Sequence, residues 1–408
     1  MRPRLRAAIV GTGFVGRQHV EALRRLGTVD VAAVAASTPQ RATQAAESLG
    51  VERGVGDWLE LTESHDVDVI HVCVPNDLHH DVVASALGAG KDVVCEKPLA
   101  ISLEQGMRLA RLASRSERAA VLCHNYRYYP MATELRARLR AGEIGPLHAI
   151  RGSYLQDWLL GAGDTNWRVD AARGGASRAV ADIGSHWIDL AEVISGCRLE
   201  AVMAQLGTVH ARRPAYDGAE TFAGPGGPPN TGVADGWAPV ATEDQAGLLL
   251  RFAGGVQGSL TISQAAAGHK NALELSLDGA DGSATWRQER PDQLWIGRRD
   301  RPSELVSRDP RTLSAEAAGV ARLPAGHTEG WGDGLRNLLG AAYAEIRRRR
   351  GDATIPQASD GMPLPTFDDG VRHLAFVEAA LRSAADERWI SVAEVMAALE
   401  PIEEAVNA

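Results

Sequence analysis

Apolar and polar positions in the first third of the chain alternate between two rhythms. Short apolar runs at 5–10, 31–35, 67–74, 92–95 and 119–123 read as buried strands, and the segments 15–26, 39–49, 78–87 and 103–114 between them carry apolar residues at helical spacing. That alternation predicts βαβ units with right-handed crossovers, hence an α/β half built on a doubly wound parallel sheet covered on both faces. After Asn125 the rhythm changes. A helix at 131–140 ends in the turn Ile144-Gly145-Pro146, and long β-prone runs follow at 147–158, 199–210, 245–252, 256–265 and 272–277. One helical stretch, 182–194, interrupts them, so the second half is expected to be α+β with a large, mostly antiparallel open sheet. The Gly- and Pro-rich segment 211–240 reads as a surface loop, and a second loop at 300–325 precedes a helix from about 327 to 349. The arginine tract 347–350 reads as a solvated helix end.

A chain of 408 residues exceeds one ordinary hydrophobic core, and the change of rhythm divides it into 1–124 and 125–408. A net charge of -9 argues against nucleic acid or an anionic membrane surface as partner and leaves a small molecule. No apolar run approaches the ~20 residues of a membrane span. The opening Met1-Arg2-Pro3-Arg4-Leu5-Arg6 enters a strand without a signal-type apolar core, so a cytoplasmic location is expected. The four cysteines, Cys73, Cys95, Cys123 and Cys197, show no metal-ligand spacing, and no metal site is expected. The first three fall inside apolar runs and read as inert core thiols rather than nucleophiles.

The first strand leads straight into Gly11-Thr12-Gly13-Phe14-Val15-Gly16. In this strand-turn-helix setting Gly11 permits a tight turn, Gly13 lets a pyrophosphate approach the backbone, and Gly16 permits close helix packing. The amides of the loop and the helix N-terminus then face the phosphates of a dinucleotide. The acid expected about 20 residues on, to bond a ribose 2′-hydroxyl, is missing, because the second strand runs into Ser37 and Thr38 with Arg41 nearby. Donors and a cation there tilt the expected coenzyme, NAD(P)(H), toward NADP.

Further motifs accumulate: Glu96-Lys97-Pro98 after a strand, His124-Asn125-Tyr126-Arg127, Trp167-Arg168, and Asp182-Ile183-Gly184-Ser185-His186. With the glycine loop they resemble the Gfo/Idh/MocA family of oxidoreductases, named for glucose-fructose oxidoreductase, inositol dehydrogenase and a rhizopine-catabolism protein. The likeness covers nearly the whole chain and is strongest over 5–190. It implies a Rossmann domain followed by an α/β domain whose open sheet serves oligomerisation, as a dimer or tetramer, and a substrate that is a sugar, glycoside or cyclitol. By the same resemblance Lys97 lies beside the nicotinamide and bonds the reacting oxygen, while Asp182 and His186 form the acid/base pair. Val74, Pro75, Asn76, His79, Glu96, Asn125, Trp167 and Arg168 are implied cofactor contacts, and Arg127 a substrate contact.

The chemistry of those residues agrees. Oxidising an alcohol releases a hydride and a hydroxyl proton, so it needs a proton acceptor and a donor that stabilises the developing alkoxide. Asp182 and His186, four apart, would share one helix face, where the carboxylate would orient the imidazole and favour its protonated form. Taken singly, Lys97 is also an ordinary strand-end lysine, His186 a core histidine and Asp182 a helix cap. Tyr154, Gln156 and Trp158, on or just past a long strand, combine aromatic faces with polar groups as carbohydrate binding requires, and His327 is a further candidate substrate contact. Two other activities fit the motifs: an NAD-dependent glycoside-cleaving enzyme with transient oxidation, and a non-catalytic dinucleotide sensor. One position departs from the resemblance, since Arg178 stands where small residues are common; it either faces solvent or meets an acidic group on substrate or partner.

Overall fold

The computed structural model of the chain describes residues 4–216, 236–355 and 361–398. Six strands, β1 (Leu5–Val10), β2 (Val29–Ala35), β3 (Arg53–Val55), β4 (Val69–Val72), β5 (Asp92–Cys95) and β6 (Ala120–Leu122), run parallel in the order β3-β2-β1-β4-β5-β6. Helices α1 (Phe14–Leu26), α2 (Pro39–Leu49), α3 (Leu59–Thr62), α4 (His79–Gly88) and α5 (Leu103–Arg115) join them. The strand order reverses between β1 and β4, and a doubly wound sheet opens its ligand crevice there, beyond the carboxyl ends of the strands. Ala7, Ala8 and Ile9 of β1 have no exposed surface, because helices cover both faces. The three residues of β3 and four of α3 escape a periodicity reading because neither completes a recognisable period.

Helix α6 (Pro130–Arg140) leads into strands β7 (Leu147–Leu155) and β8 (Leu199–Gly207), a separate pair β9 (Arg212–Pro214) and β10 (Trp237–Pro239), then β11 (Gln245–Phe252), β12 (Gln257–Ser263), β13 (Ala272–Gly279), β14 (Ser283–Arg287), β15 (Gln293–Gly297), β16 (Glu304–Ser307) and β17 (Ile390–Ser391). Apart from β9 and β10 these form one nine-stranded sheet in which β7 and β12 alone pair in parallel. In β11, Ala246, Leu248, Leu250 and Phe252 point inward while Gln245, Gly247, Leu249 and Arg251 face out, the period of two that a sheet covered on one side dictates. The remaining helices are α7 (Ala171–Gly174), α8 (Ser185–Ser195), α9 (Ala315–Val320), α10 (Trp331–Arg349), α11 (Phe367–Asp386) and α12 (Val392–Ala397). Helix α8 sits on the inner face of the large sheet, where the Trp187 indole donates to the Glu274 carbonyl of β13 at 2.9 Å.

Helix α10 returns to the first sheet. Leu335, Leu338, Leu339, Ala342 and Ile346 form a stripe at helical spacing, all at most 1% exposed, packed with Leu5, Ala7, Ile9, Val20 and Leu23. The arginine tract at its end is only partly solvated. Arg350 bonds Asp92 at 2.7 Å and Asp68 at 2.9 Å, fastening the helix end to the strands beneath. Of the expected loop at 211–240, residues 217–235 lie outside the described residues; the expected loop at 300–325 contains β16 and α9. Helix α10 begins at Trp331, four residues past His327, because the Asp333 side chain caps the Gly330 N–H at 2.9 Å. Arg178 neither faces solvent nor awaits a partner molecule: it is buried within the chain beside Asp244 at 2.5 Å, with Thr242 Oγ1 at 3.2 Å.

Candidate functional site

A cleft of about 1260 Å³ runs from the carboxyl edge of the first sheet to the inner edge of the second. The glycine loop forms one end. Gly11 has φ +102°, and a Cβ there would lie 2.4 Å from the Cys73 carbonyl oxygen, so only glycine fits. Gly13 has open space on its Cβ side, which leaves the backbone accessible to a ligand. Gly16 packs against the Gly11 carbonyl and does not line the cleft, consistent with its helix-packing task. Thr12, Phe14 and Val15 line it at the start of α1, a helix with no acidic residue in its first turn. A loop this tight, open at Gly13 and backed by a helix N-terminus, fits a dinucleotide pyrophosphate.

Ser37 and Arg41 line the adjoining wall, joined by a 3.3 Å bond from the guanidinium to the hydroxyl. Thr38 does not; its hydroxyl caps α2 by accepting from the Arg41 N–H at 3.2 Å. Asp57 and Trp58, beyond β3, also line this wall and were not anticipated. Further along, Val74, Pro75, Asn76 and His79 line the cleft where β4 ends. Asn76 donates to the Gly174 carbonyl at 3.0 Å, and His79 lies between the carbonyls of Val74 and Pro98, so both also brace the turn.

Lys97, Asp182 and His186 all line the cleft, together with Glu96, Asn125, Trp167 and Arg168. The Lys97 ammonium donates to Asp182 Oδ1 at 2.8 Å and to its main-chain carbonyl at 2.7 Å. Arg168, stacked over Trp167, reaches the same Oδ1 at 3.3 Å, and Gln264 donates to Oδ2 at 2.8 Å. Burial alone would raise the Asp182 carboxyl; Lys97 and Arg168 overcome it and hold the group far below the usual carboxylate range. Asp182 occupies a π-helical turn, Val180–Gly184, that runs into α8, where His186 follows.

The expected bond between Asp182 and His186 is absent. The carboxylate is held by Lys97, Arg168 and Gln264, and His186 Nδ1 is buried with no hydrogen-bond partner among the described residues. Burial pushes His186 well below the ordinary histidine value, with Lys97 and His124 adding to it and Asp182 opposing. The imidazole is therefore neutral, opposite to the protonated form the four-residue spacing suggested.

Tyr154 and Gln156 line the opposite wall with Tyr126 and Asn271. Asn271 Oδ1 accepts from the Tyr154 hydroxyl at 2.6 Å and from Gln156 at 3.0 Å, while its amide donates to the Tyr126 hydroxyl at 3.1 Å. Trp158 lies outside the cleft lining and donates to Gln156 Oε1 at 2.8 Å, holding that side chain. Arg127 is buried away from the cleft; Asp189 grips its guanidinium, with Asp369 at 3.0 Å, so it is a packing residue rather than a substrate contact. His327 is exposed outside the cleft, leaning on the Ala325 carbonyl at 3.4 Å. Tyr126 stood inside a quoted motif and was readable; Asn271, Gln264 and Asp57 carried no sequence signal.

Two family models match the chain: one for the Gfo/Idh/MocA oxidoreductase family with its NAD-binding Rossmann fold over residues 5–124, the other for the Gfo/Idh/MocA C-terminal domain over residues 132–285. The chain belongs to this family. It is similar to levoglucosan dehydrogenase of Pseudarthrobacter phenanthrenivorans, 29% identical over 96% of this chain and 99% of that one. A solved structure of levoglucosan dehydrogenase in complex with NADH and levoglucosan superposes with a TM-score of 0.82, at 26% identity, covering 96% of this chain and all of that one. An inositol dehydrogenase homologue from Azotobacter vinelandii complexed with NAD+ gives a TM-score of 0.82 at 26% identity, over 96% of this chain and 98% of that one. Among the described residues no helix is long and apolar enough to cross a membrane.

Proposed function

We propose that this family member is an NAD(P)-dependent dehydrogenase acting on a carbinol of a sugar, glycoside or cyclitol. The observation that carries the reading is the convergence of Lys97, Asp182 and His186 in the cleft that the glycine loop opens. A bound nicotinamide supplies the hydride acceptor. The chain's own residues handle the proton and the oxygen. His186, neutral, accepts the hydroxyl proton. Two of the three Lys97 N–H donors are spent on Asp182, which leaves one for the developing alkoxide. Asp182 fixes the ammonium in place and balances its charge.

Tyr126, Tyr154, Gln156 and Asn271 offer a wall of hydroxyls and amides fixed to one another, which suits a compact polyol. The likeness to levoglucosan dehydrogenase over nearly the full length supports including anhydrosugars in that class. At the other end of the cleft, Ser37 and Arg41 support acceptance of NADP, with Asp57 as the opposing charge on the same wall. The outward face of the large sheet, with Leu249 at 54% and Leu305 at 59% exposure, supports a homo-oligomer formed through it. The reading places the reaction in the cytoplasm, with the dinucleotide pool. The deciding experiment follows dinucleotide reduction across sugars, cyclitols and anhydrosugars with both coenzymes. Net reduction matching product supports the proposal. Substrate conversion with the dinucleotide regenerated identifies a cleaving enzyme instead, and binding without turnover a sensor.

A further inference from the structure

Glu96 lines the cleft one residue before Lys97, and a buried chain of polar groups runs behind it. Its Oε1 lies 3.0 Å from His19 Nε2, His19 Nδ1 lies 2.8 Å from His71 Nδ1, and His71 Nε2 lies 2.9 Å from the Tyr343 hydroxyl. His19 comes from α1, His71 from β4 and Tyr343 from α10, so the chain links the cleft to a helix more than 200 residues further on. His19 and His71 are wholly buried and Tyr343 is 2% exposed.

The direction of every bond in this chain follows from its far end. The Tyr343 hydroxyl has His71 as its sole hydrogen-bond partner among the described residues. Were it to accept there, its own proton would be buried and unbonded, which folded proteins avoid. It therefore donates to His71 Nε2. A neutral His71 then carries its proton on Nδ1 and donates to His19 Nδ1, and a neutral His19 carries its proton on Nε2 and donates to Glu96. Burial keeps His71 well below the ordinary histidine value. A protonated His19 would reverse the first two bonds and strand the Tyr343 proton. Glu96 also lies 3.3 Å from the Lys97 main-chain N–H, so the groups bonded to it are donors that stabilise its ionised form. Burial, the largest single influence, would raise its carboxyl; the His19 bond, the Cys123 thiol and the Lys97 charge together outweigh it, and the group ends below the usual range.

We propose that Tyr343, His71 and His19 are positioning residues that hold Glu96 as an anion in the cleft, and that this anion makes the site favour oxidised over reduced coenzyme. The inference rests on the dinucleotide reading above. The two coenzyme forms differ by one positive charge on the nicotinamide ring, and a fixed carboxylate beside Lys97 discriminates between them through that charge. A weaker hold on the reduced form lets it leave after the substrate is oxidised.

The test measures dissociation constants for both forms on the full-length enzyme, NADH or NADPH by its own fluorescence and the oxidised form by competition. In Glu96→Gln the ratio of oxidised to reduced Kd is expected to rise roughly fivefold or more. Tyr343→Phe is expected to shift it the same way by a smaller factor, and the double variant no further than Glu96→Gln. If Tyr343 merely packs α10, its loss weakens both forms in parallel; an unchanged ratio in Tyr343→Phe overturns the proposal. Should that variant not fold, His71→Val in β4 carries the comparison, and an unchanged ratio there or in Glu96→Gln overturns it equally. Wild-type protein that binds neither form sinks the dinucleotide reading as well, whereas binding with an unaltered ratio sinks this inference alone.

Discussion

The Lys97 ammonium holds Asp182 at two points, 2.8 Å from a carboxylate oxygen and 2.7 Å from the main-chain carbonyl of the same residue. Both side chains are mostly shielded from water, at 11% and 16% exposure, so the pair is a fixed feature of the cleft floor rather than a mobile surface bridge. In the proposed mechanism the developing alkoxide forms at this ammonium, and Asp182 supplies the charge that lets a buried lysine stay there.

Lys97→Ala removes the donor and leaves the Asp182 carboxylate to Arg168 and Gln264. Turnover is expected to fall by about a thousandfold, the scale of losing an electrostatic stabiliser of a developing oxyanion. The dinucleotide Kd, set mainly by the glycine loop, is expected to stay within about threefold. Steady-state kinetics and coenzyme fluorescence read the two separately, and near-normal turnover removes Lys97 from the chemistry.

His186 makes the pH prediction. As a proton acceptor it works in its neutral form, and its environment pushes protonation below the ordinary value of about 6.5. Acid therefore inactivates late: kcat/KM for oxidation is expected to hold its plateau as pH drops past 6.5 and to fall only when pH descends through the depressed value. His186→Asn is expected to abolish that acid limb along with most of the rate. An acid limb at or above the ordinary histidine value would contradict a neutral, buried base.

Much of this was legible in the sequence where local chemistry dictates local shape. The glycine loop, β1, α2 and β5 follow from turn geometry, apolar runs and helical spacing within a few residues of one another. The convergence of Lys97, Asp182 and His186 was legible through motifs, but their electrostatics were not. Spacing alone favours an Asp182–His186 bond, and it cannot show that Lys97, from 85 residues earlier, takes the carboxylate first. Arg127 and Arg178 were misread for a related reason: an arginine looks like a surface or substrate-facing cation until the fold supplies Asp189 or Asp244 in the interior. Helix α11 was overlooked although Thr366 and Asp369 form a capping box ahead of its apolar face.

Arg178 gives a stability prediction distinct from the catalytic ones. It shares the fully buried Asp244 with Arg213, and its own carbonyl accepts the Asp182 N–H at 2.7 Å. Arg178→Ala leaves a cavity and strips the interior Asp244 carboxylate of one of its two guanidinium partners, with Arg213 remaining at 3.0 Å, and is expected to cost about 3 kcal/mol in denaturant unfolding. The sign of the pH effect follows from Asp244. Burial opposes its ionisation, Arg178 with the Val209 N–H and Arg213 together outweigh burial, and its carboxyl sits below the ordinary value. The stability it contributes is present above the unfolded-state value and lost as pH falls through the folded one, so the wild type should resist acid better than the variant. Equal acid midpoints would show that the pair adds nothing to the fold.

Coenzyme choice turns on Arg41 and Asp57, which line the same wall of the cleft with opposite charges. β2 and β3 are paired at their ends, Ala35 beside Val55, so Ser37 and Asp57, each two residues further on, emerge side by side. A 2′-phosphate entering there gains a charge-assisted contact with Arg41, worth about 1.5–3 kcal/mol, and meets repulsion from Asp57. Arg41→Ala is accordingly expected to raise KM for NADP by about tenfold or more while KM for NAD changes by less than about twofold. Asp57→Asn is expected to move the NADP value the opposite way. Its carboxylate also caps the Leu59 N–H at 3.0 Å, a bond that asparagine retains, so the change removes charge without uncapping the helix. If both substitutions alter NAD and NADP equally, the wall does not read the 2′ position, and the proposed acceptance of NADP loses its physical basis.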